Sequence, residues 1–296
     1  MSKNVEQRVA GSIVGLVVGD ALGVPVEFES RESLSAKPVY KMMGYGTYNQ
    51  PPGTWSDDSS MTLATIESLV SSNGYNKRDL GKKFVSWMEC GFYTPGGVTF
   101  DIGVTTRHAL TIGRGLDSEL SNGNGSLMRM APFAFWKGAT DEVIESASGI
   151  THAHPRSVLG CLLYCDIVRE LFAKKSKLSD AIEIALKKRA KHPEIEYYNR
   201  LRYLDRIAER DIESSGYIVH TLEAALWCVM NTTTYKDCVL KAVNLGKDTD
   251  TVAAVAGSIA GAIYGIAGIS KSWIATLKRG NYVVETANKF EAWCNQ

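Results

Sequence analysis

Apolar residues recur at helical spacing along most of the chain. Near the start, Val5, Val9, Ile13 and Val17 share one helical face, and the stretch Asn4–Gln7 has the form of a capping box. Further helices are predicted near residues 60–72, 78–90, 140–149, 156–174, 179–191, 195–212, 219–231, 235–244, 251–266 and 283–293. Because convincing alternating strands are almost absent, the pattern predicts an all-α protein.

Start signals support three of these helices. Pro155 suits a first-turn position, and Ser179 and Thr234 suit N-terminal caps. No Pro-, Gly- or Ser-rich linker and no repeat of fixed period divides the chain. We therefore expect residues 1–296 to form one domain.

Glycine repeats at every fourth position in two of the helices. The first series runs from Gly11 to Gly19 and the second from Gly257 to Gly265. Since glycine lowers helix stability by roughly 1 kcal/mol relative to alanine, such a series indicates that another backbone approaches closely. Either the two helices pack on each other, or each meets a different neighbour.

Composition limits the class of protein. With 45% hydrophobic and 22% charged residues, the chain is typical of a globular protein. The formal net charge is only +1, so no global field attracts nucleic acid or an anionic membrane. Nucleic acid is not expected as a partner, and an anionic ligand must be held by local groups.

Two apolar stretches resemble membrane-directed segments. The N-terminal one imitates a signal peptide, but Asp20 stands where a small-residue cleavage site belongs, so we interpret it as mature structure. The uncharged stretch Thr251–Ser270 is long enough to span a bilayer but is rich in Ala and Gly. We expect a buried helix there and no membrane association. Six cysteines without a CxxC pair favour free thiols in a reducing compartment, hence a cytoplasmic location.

Two motifs of paired carboxylates each precede a predicted helix. Capping explains either motif taken alone, because Asp, Ser and Thr satisfy free N–H groups and complement the helix dipole. Taken together, the motifs offer the carboxylate and hydroxyl oxygens that Mg²⁺ and Mn²⁺ prefer. The candidate ligands are Ser56, Asp57, Asp58, Asp248, Asp250 and Thr251. Their spacing does not show whether the two motifs meet in space.

Other short segments carry polar candidates. Asp20 and Glu27 flank a Gly-containing turn, and Asp101 lies in a predicted loop. The segment NGNGSLMRMAP is either an anion-binding nest or a simple loop. His152 either donates to a phosphate or has a structural role.

Read in order, six segments resemble the successive signatures of the ADP-ribosylglycohydrolase family. They are GSIVGLVVGDALGVPVEF, GTWSDDSS, TFDIG, NGNGSLMRMAPFA, THAHP and NLGKDTDTVAAVAGSIAGAIYG. The resemblance extends from about Gly11 to Gly265. It implies a single compact all-α domain with two divalent cations, Mg²⁺ or Mn²⁺, which hydrolyses the bond between ADP-ribose and an acceptor.

The resemblance also implies roles for individual residues. The first metal motif is matched by Ser56, Asp57 and Asp58, and the second by Asp248, Asp250 and Thr251. Glu27 matches the acid near the scissile ribose and Asp101 a second acid in the cleft. The loop that holds ADP-ribose is matched by Asn124, Gly125, Ser126 and Met128. His152 matches a phosphate-side histidine, and Tyr217 is matched to adenine stacking.

The expected activity is hydrolysis of ADP-ribosylarginine on a protein or of a small ADP-ribose conjugate, by a monomer. The alternatives are a two-metal nucleotide phosphohydrolase and a non-catalytic ADP-ribose-binding or structural relative. The acid and base roles of Glu27 and Asp101 stay open. Lys247 either weakens metal binding or steers a phosphate.

Overall fold

The computed structural model describes residues 7–174 and 176–296, which fold into helices joined by loops. The α-helices are α1 (Arg8–Gly23), α2 (Arg31–Ala36), α3 (Asp57–Ser71), α4 (Lys77–Cys90), α5 (Val104–Ile112), α6 (Ala131–Phe135), α7 (Asp141–Ser148), α8 (Pro155–Lys174), α9 (Leu178–Lys188), α10 (Ile218–Met230), α11 (Tyr235–Asn244), α12 (Thr249–Tyr264), α13 (Lys271–Thr276) and α14 (Gly280–Cys294). Within the described residues only isolated β-bridges occur, so the all-α prediction is confirmed. The predicted capping box at Asn4 lies outside the described residues.

The helix starts differ in detail from the sequence predictions. Thr234 caps α11 by accepting from the N–H of Asp237 at 3.1 Å, and Pro155 is the first residue of α8, both as predicted. Ser179 was wrong as a cap, because α9 begins one residue earlier, after Lys177.

The prediction of one continuous helix over residues 195–212 was also wrong. The structure has a 3-10 helix over Ile195–Arg206 with a kink at Tyr203, followed by a separate short turn. The four short helices α2, α5, α6 and α13 were not predicted. At five to nine residues each, they are too short for a periodic pattern to distinguish them from loops.

Helices α1 and α12 pack antiparallel with their backbones in contact. A Cβ atom built on Gly15 would lie 2.4 Å from the carbonyl oxygen of Gly257, and one on Gly261 would lie 2.1 Å from that of Gly11. The glycine series therefore pack on each other, which settles the two alternatives left by the sequence. At the far end of the same contact, Gly23 lies against Asp250, so the end of α1 meets the start of α12.

The remaining helices surround this pair. Helices α10 and α11 pack on α12, and α14 packs on α1. Nearly all of the described buried apolar side chains form one hydrophobic cluster. The segment Arg8–Val26 has the length and apolar character of a membrane span, but its apolar residues are buried inside the fold. Helix α12 is likewise buried, as predicted for this apolar stretch.

We predict that Gly15→Ala lowers the free energy of unfolding by about 1–3 kcal/mol, the usual cost of overpacking, although alanine favours a helix. The matched control is Gly81→Ala in α4, where an added Cβ meets no atom within 4 Å. That change should raise the free energy by up to about 1 kcal/mol. Denaturant unfolding of both variants makes the comparison, and equal stabilisation by both would show that the α1–α12 contact tolerates a wider spacing.

Candidate active site

The two acidic motifs meet where three helix ends converge. Asp20 lies in the last turn of α1, Asp58 in the first turn of α3 and Asp250 in the first turn of α12, and their carboxylate oxygens lie within 4.8 Å of one another. Glu27, Asp248 and Asp250 form a second such group. The structure thus supplies the proximity that the sequence spacing could not.

Capping accounts for Ser56 but not for the aspartates beside it. Ser56 is the N-cap of α3, and its Oγ accepts from the N–H of Asp58 at 3.4 Å and donates to Asp58 Oδ2 at 3.0 Å. Asp57 and Asp58 are the first two residues of the helix, where the dipole favours negative charge. Asp248 occupies the N-cap position of α12 without a side-chain capping bond. The aspartate side chains are therefore left to face each other.

Asp20 is a site residue that the sequence reasoning did not include among the metal ligands. Its fully buried carboxylate accepts from the N–H of Ser56 at 2.9 Å and from both the N–H and the hydroxyl of Ser59. Burial raises its pKa to about 6, against the opposing effect of these hydrogen bonds. The signal available in the sequence was an acidic residue that follows a long apolar stretch of the same helix. Asp20 fastens the start of α3 to the end of α1.

The cluster concentrates negative charge without a cation. Within residues 7–174 and 176–296, no ion pair involves these carboxylates. Burial, followed by neighbouring negative charges, raises the pKa values of Asp57, Asp58 and Asp250. Burial and the charge of Asp101 raise the pKa of Glu27 to about 9.

Four buried oxygens of the cluster have no hydrogen-bond partner. They are Glu27 Oε2, Asp58 Oδ1, Asp248 Oδ1 and Asp250 Oδ2. An unpaired buried carboxylate oxygen is costly unless a cation or donor completes it. Since the donors are all hard oxygens, the residues present fit a divalent cation such as Mg²⁺ or Mn²⁺.

The loop Asn122–Met128 forms the wall next to the cluster. Asn124 Nδ2 donates to Asp248 Oδ2 at 2.7 Å and to Thr221 Oγ1 at 2.9 Å, so Asn124 orients a member of the second motif. Gly125 packs against His152, since a Cβ on Gly125 would lie 2.8 Å from the imidazole Cε1. Ser126 is fully buried, and its hydroxyl bonds Ser148 at 3.0 Å, behind the wall.

A cleft of about 430 Å³ opens over the cluster. Among the predicted site residues, it is lined by Glu27, Asp57, Asp101, Asn124, Gly125, Met128, His152, Asp248 and Thr251. Lys247 also lines it, but its ammonium pairs with Glu213. Tyr217 does not line this cleft: its ring packs edge-on against His220, with 4.9 Å between centroids, in an adjoining depression.

His152 is held as a neutral imidazole. Burial, helped by the charge of Arg129, lowers its pKa to about 3. The Arg129 guanidinium donates to Thr151 Oγ1 at 2.9 Å, and that hydroxyl lies 2.9 Å from His152 Nδ1. Because Thr151 accepts from Arg129, its own proton is free to go to Nδ1. This arrangement assigns the remaining proton to Nε2, which lies on the Gly123 and Gly125 side.

Tyr48 is a second residue that the sequence reasoning missed. Its hydroxyl acts on Glu27 as a hydrogen-bond donor and lowers the carboxyl pKa, while burial and the two acids Glu27 and Asp101 raise the pKa of the phenol. It lies in the 3-10 turn Gly46–Tyr48, outside the segments that carry the candidate acidic and loop motifs. Nothing in the local pattern marks it as a site residue.

The site therefore consists of buried carboxylates from two helix N-termini in an all-helical fold, an arrangement that suits a metal-dependent hydrolase. The chain belongs to the ADP-ribosylglycohydrolase family, whose model matches residues 1–295.

Particular relatives are similar over most of the chain. ADP-ribosylarginine hydrolase Tri1 of Serratia proteamaculans is 35% identical over 91% of this chain and 75% of its own length. ADP-ribosyl-[dinitrogen reductase] glycohydrolase of Rhodospirillum rubrum is 31% identical over 93% of this chain and 91% of its own. A solved structure, described as an ADP-ribosylglycohydrolase-related protein complex, superposes with a TM-score of 0.80 at 29% identity, covering 97% of this chain and 98% of the other.

We predict an unusual pH dependence of stability in the metal-free protein. The folded-state pKa values of Asp20 and Glu27, about 6 and about 9, exceed their ordinary values of 3.8 and 4.5. The contribution of these two groups to the free energy of unfolding is fully present below their pKa values in the unfolded state. It is lost as pH rises through their pKa values in the folded state. Asp250, whose pKa is also raised, gives the test: in chelator, Asp250→Asn should come closest to the wild-type Tm at or below the ordinary aspartate pKa of 3.8, and should exceed it increasingly as pH rises above that value. A constant difference would contradict the account.

Proposed function

We propose that this protein is a metal-dependent hydrolase that releases ADP-ribose from the arginine side chain of a modified protein. The observation that carries the proposal is the set of four unpaired carboxylate oxygens on Glu27, Asp58, Asp248 and Asp250. Glu27 and Asp248 line the cleft, and Asp250 lies within the same acidic cluster. The relatives named above supply the class of substrate. Arginine is chosen as the acceptor because Tri1 of Serratia proteamaculans, the relative at 35% identity, is an ADP-ribosylarginine hydrolase by name.

Two divalent cations, Mg²⁺ or Mn²⁺, complete the proposed site. The residues that would hold them are Ser56, Asp57, Asp58, Asp248, Asp250 and Thr251. When bound, the cations would polarise a water molecule and the ribose hydroxyls. Asp20 is not assigned as a ligand, because N–H and O–H donors already occupy both of its oxygens. It is a positioning residue, which sets the first motif against the second.

Glu27 and Asp101 carry the proton transfers in this proposal. The bond between ribose C1 and the arginine nitrogen breaks while a C1–O bond forms to water, through a transition state of oxocarbenium character. Glu27 has a buried oxygen without a hydrogen-bond partner, and bound cations would lower its raised pKa by offsetting the neighbouring negative charges, so we assign it the proton from water. Asp101 lines the same cleft beside Glu27, so we assign it to protonate the leaving nitrogen.

The pyrophosphate is held by neutral donors rather than by a cation. His152, with its proton on Nε2, and the backbone of the Asn122–Met128 loop line one wall of the cleft. Lys247 also lines the cleft, but its ammonium is paired with Glu213, so we assign it no phosphate contact. An adenine contact with Tyr217 requires the ligand to extend past Gly216 into the adjoining depression.

Oligomeric state and cellular location are part of the proposal. We propose a monomer that works in the cytoplasm. All six cysteines are free thiols, and four of them are buried, which suits a reducing compartment.

Hydrolysis of ADP-ribosylarginine should stop in excess EDTA and return with Mg²⁺ or Mn²⁺ but not with Ca²⁺, whose longer bonds suit a looser site. The product should be intact ADP-ribose. Release of phosphate or of a nucleoside monophosphate would instead identify a phosphohydrolase. Binding of ADP-ribose without any turnover would identify a non-catalytic relative.

The metal should also raise the Tm of the wild-type protein, because it binds the folded state preferentially. Asp57→Asn and Asp250→Asn should both lose that rise and the activity while remaining folded. Asparagine caps a helix about as well as aspartate, so capping alone predicts near-normal behaviour for both variants.

Glu27→Gln should keep the fold and lower kcat by about 10² to 10⁴, the usual contribution of a positioned acid or base. The size of the side chain is preserved and one buried charge is removed, so the metal-free Tm should not fall. The control is Glu29→Gln, a neighbouring residue outside the cleft lining, which should leave kcat unchanged. An unaltered kcat in Glu27→Gln would remove Glu27 from the chemistry.

A further inference from the structure

A second cavity, of about 750 Å³, lies between α4 and α5 and is separate from the acidic cleft. Its floor is apolar and includes Val85, Leu110 and Ile150. Its rim carries four cationic side chains, which are Lys77, Arg78, Lys82 and Arg114. Nothing in the proposed reaction uses this cavity.

The four rim cations have no anionic partner. Within the part of the chain that the structure describes, none of them takes part in an ion pair or a side-chain hydrogen bond, and no acidic residue lines the cavity. The nearby acid Asp79 is engaged elsewhere, by the hydroxyl of Ser68 and by Lys83. The chain as a whole is almost neutral, so this concentration of positive charge is local.

Two of these cationic side chains occupy positions that are unfavourable for the stability of their helix. Lys77 and Arg78 are the first two residues of α4, where the helix dipole disfavours positive charge. Residues that break a local rule without a structural gain are expected at functional positions. An apolar floor with an unpaired cationic rim is complementary to a ligand that combines apolar and acidic groups.

Helix α5 links this cavity to the acidic cleft. Its first residues, Val104–Thr106, line the cleft, and Ala109 and Leu110 line the second cavity. At 1.5 Å per residue, these two sets of lining residues are about 5–9 Å apart along the helix axis. A single protein bound over α5 therefore reaches both.

We propose that the cavity between α4 and α5 binds an acidic segment with apolar side chains, belonging to the protein that carries the ADP-ribosyl group. Naming that partner rests on the proposed function, whereas the chemistry of the bound segment does not. The acidic side chains would pair with Lys77, Arg78, Lys82 and Arg114, and the apolar ones would cover Val85 and Leu110. The cavity would thus raise the affinity for modified proteins without touching the reacting atoms.

The test uses the full-length protein and a fluorescein-labelled peptide of about twelve residues. The peptide has leucines three or four residues apart and glutamates at the positions between them. Binding is followed by fluorescence anisotropy at about 50 mM and about 500 mM salt, since screening weakens exposed charge pairs. The variant is Lys77→Glu/Lys82→Glu. The matched control is Lys236→Glu/Lys271→Glu, which makes the same charge change at exposed lysines of α11 and α13 that do not line the cavity.

We expect the wild type and the control to bind the peptide at low salt, and the cavity variant to bind at least about tenfold more weakly. The cavity variant should remain folded, because Lys77→Glu puts an acid in the first turn of α4, where the dipole favours it. Absence of binding to the wild type, equal losses in the two variants, or equal binding of an all-glutamate peptide would each overturn the proposal.

Turnover separates this inference from the proposed function. The cavity variant should hydrolyse free ADP-ribosylarginine at the wild-type rate and show a raised KM only for a modified protein that bears an acidic segment. Peptide binding is measured without hydrolysis, so it can fail while the enzyme remains active. Conversely, a wild type that binds the peptide but releases no ADP-ribose would refute the enzymatic proposal alone.

Discussion

Close backbone packing between α1 and α12 is the constraint on which the rest of the structure depends. Only glycine lets the two helices approach as they do at Gly15 and Gly257. Because the helices run antiparallel, the same contact brings the end of α1 against the start of α12. Asp20 then anchors α3 through Ser56 and Ser59. Helix ends that are distant in sequence thereby form one acidic floor.

The acidic floor opposes folding and suits cation binding for the same electrostatic reason. Buried carboxylates repel one another and are poorly solvated, which raises their pKa values. The helix N-termini of α3 and α12 offset part of that repulsion, and hydrogen bonds to Asp20 and Asp248 offset more. Four carboxylate oxygens of the cluster remain without a hydrogen-bond partner. The acidic cluster thus lowers the stability of the metal-free fold, and in return it holds the carboxylates in place for cation binding.

The sequence predicted the long helices and the acidic motifs, because periodicity and clustered carboxylates are local signals. The spacing of the motifs did not show that they converge, since convergence depends on the packing of α1 on α12; only the family resemblance implied it. Tyr48 was missed as a site residue, and Asp20 was noted without a role, for a related reason: each gains its role from a tertiary neighbour. Tyr217 lies near the cleft through a backbone bridge to Gly123, but its side chain faces another depression, which a sequence match cannot reveal.

The central claim is that motifs from opposite ends of the chain hold cations in one shared site. Electron paramagnetic resonance of the Mn²⁺-loaded protein tests this claim most directly, because two Mn²⁺ ions in one carboxylate cluster interact magnetically. The account predicts a spectrum broadened by spin coupling, which either Asp58→Asn or Asp250→Asn abolishes. Two isolated six-line signals, each removed by only one of the two substitutions, would contradict it.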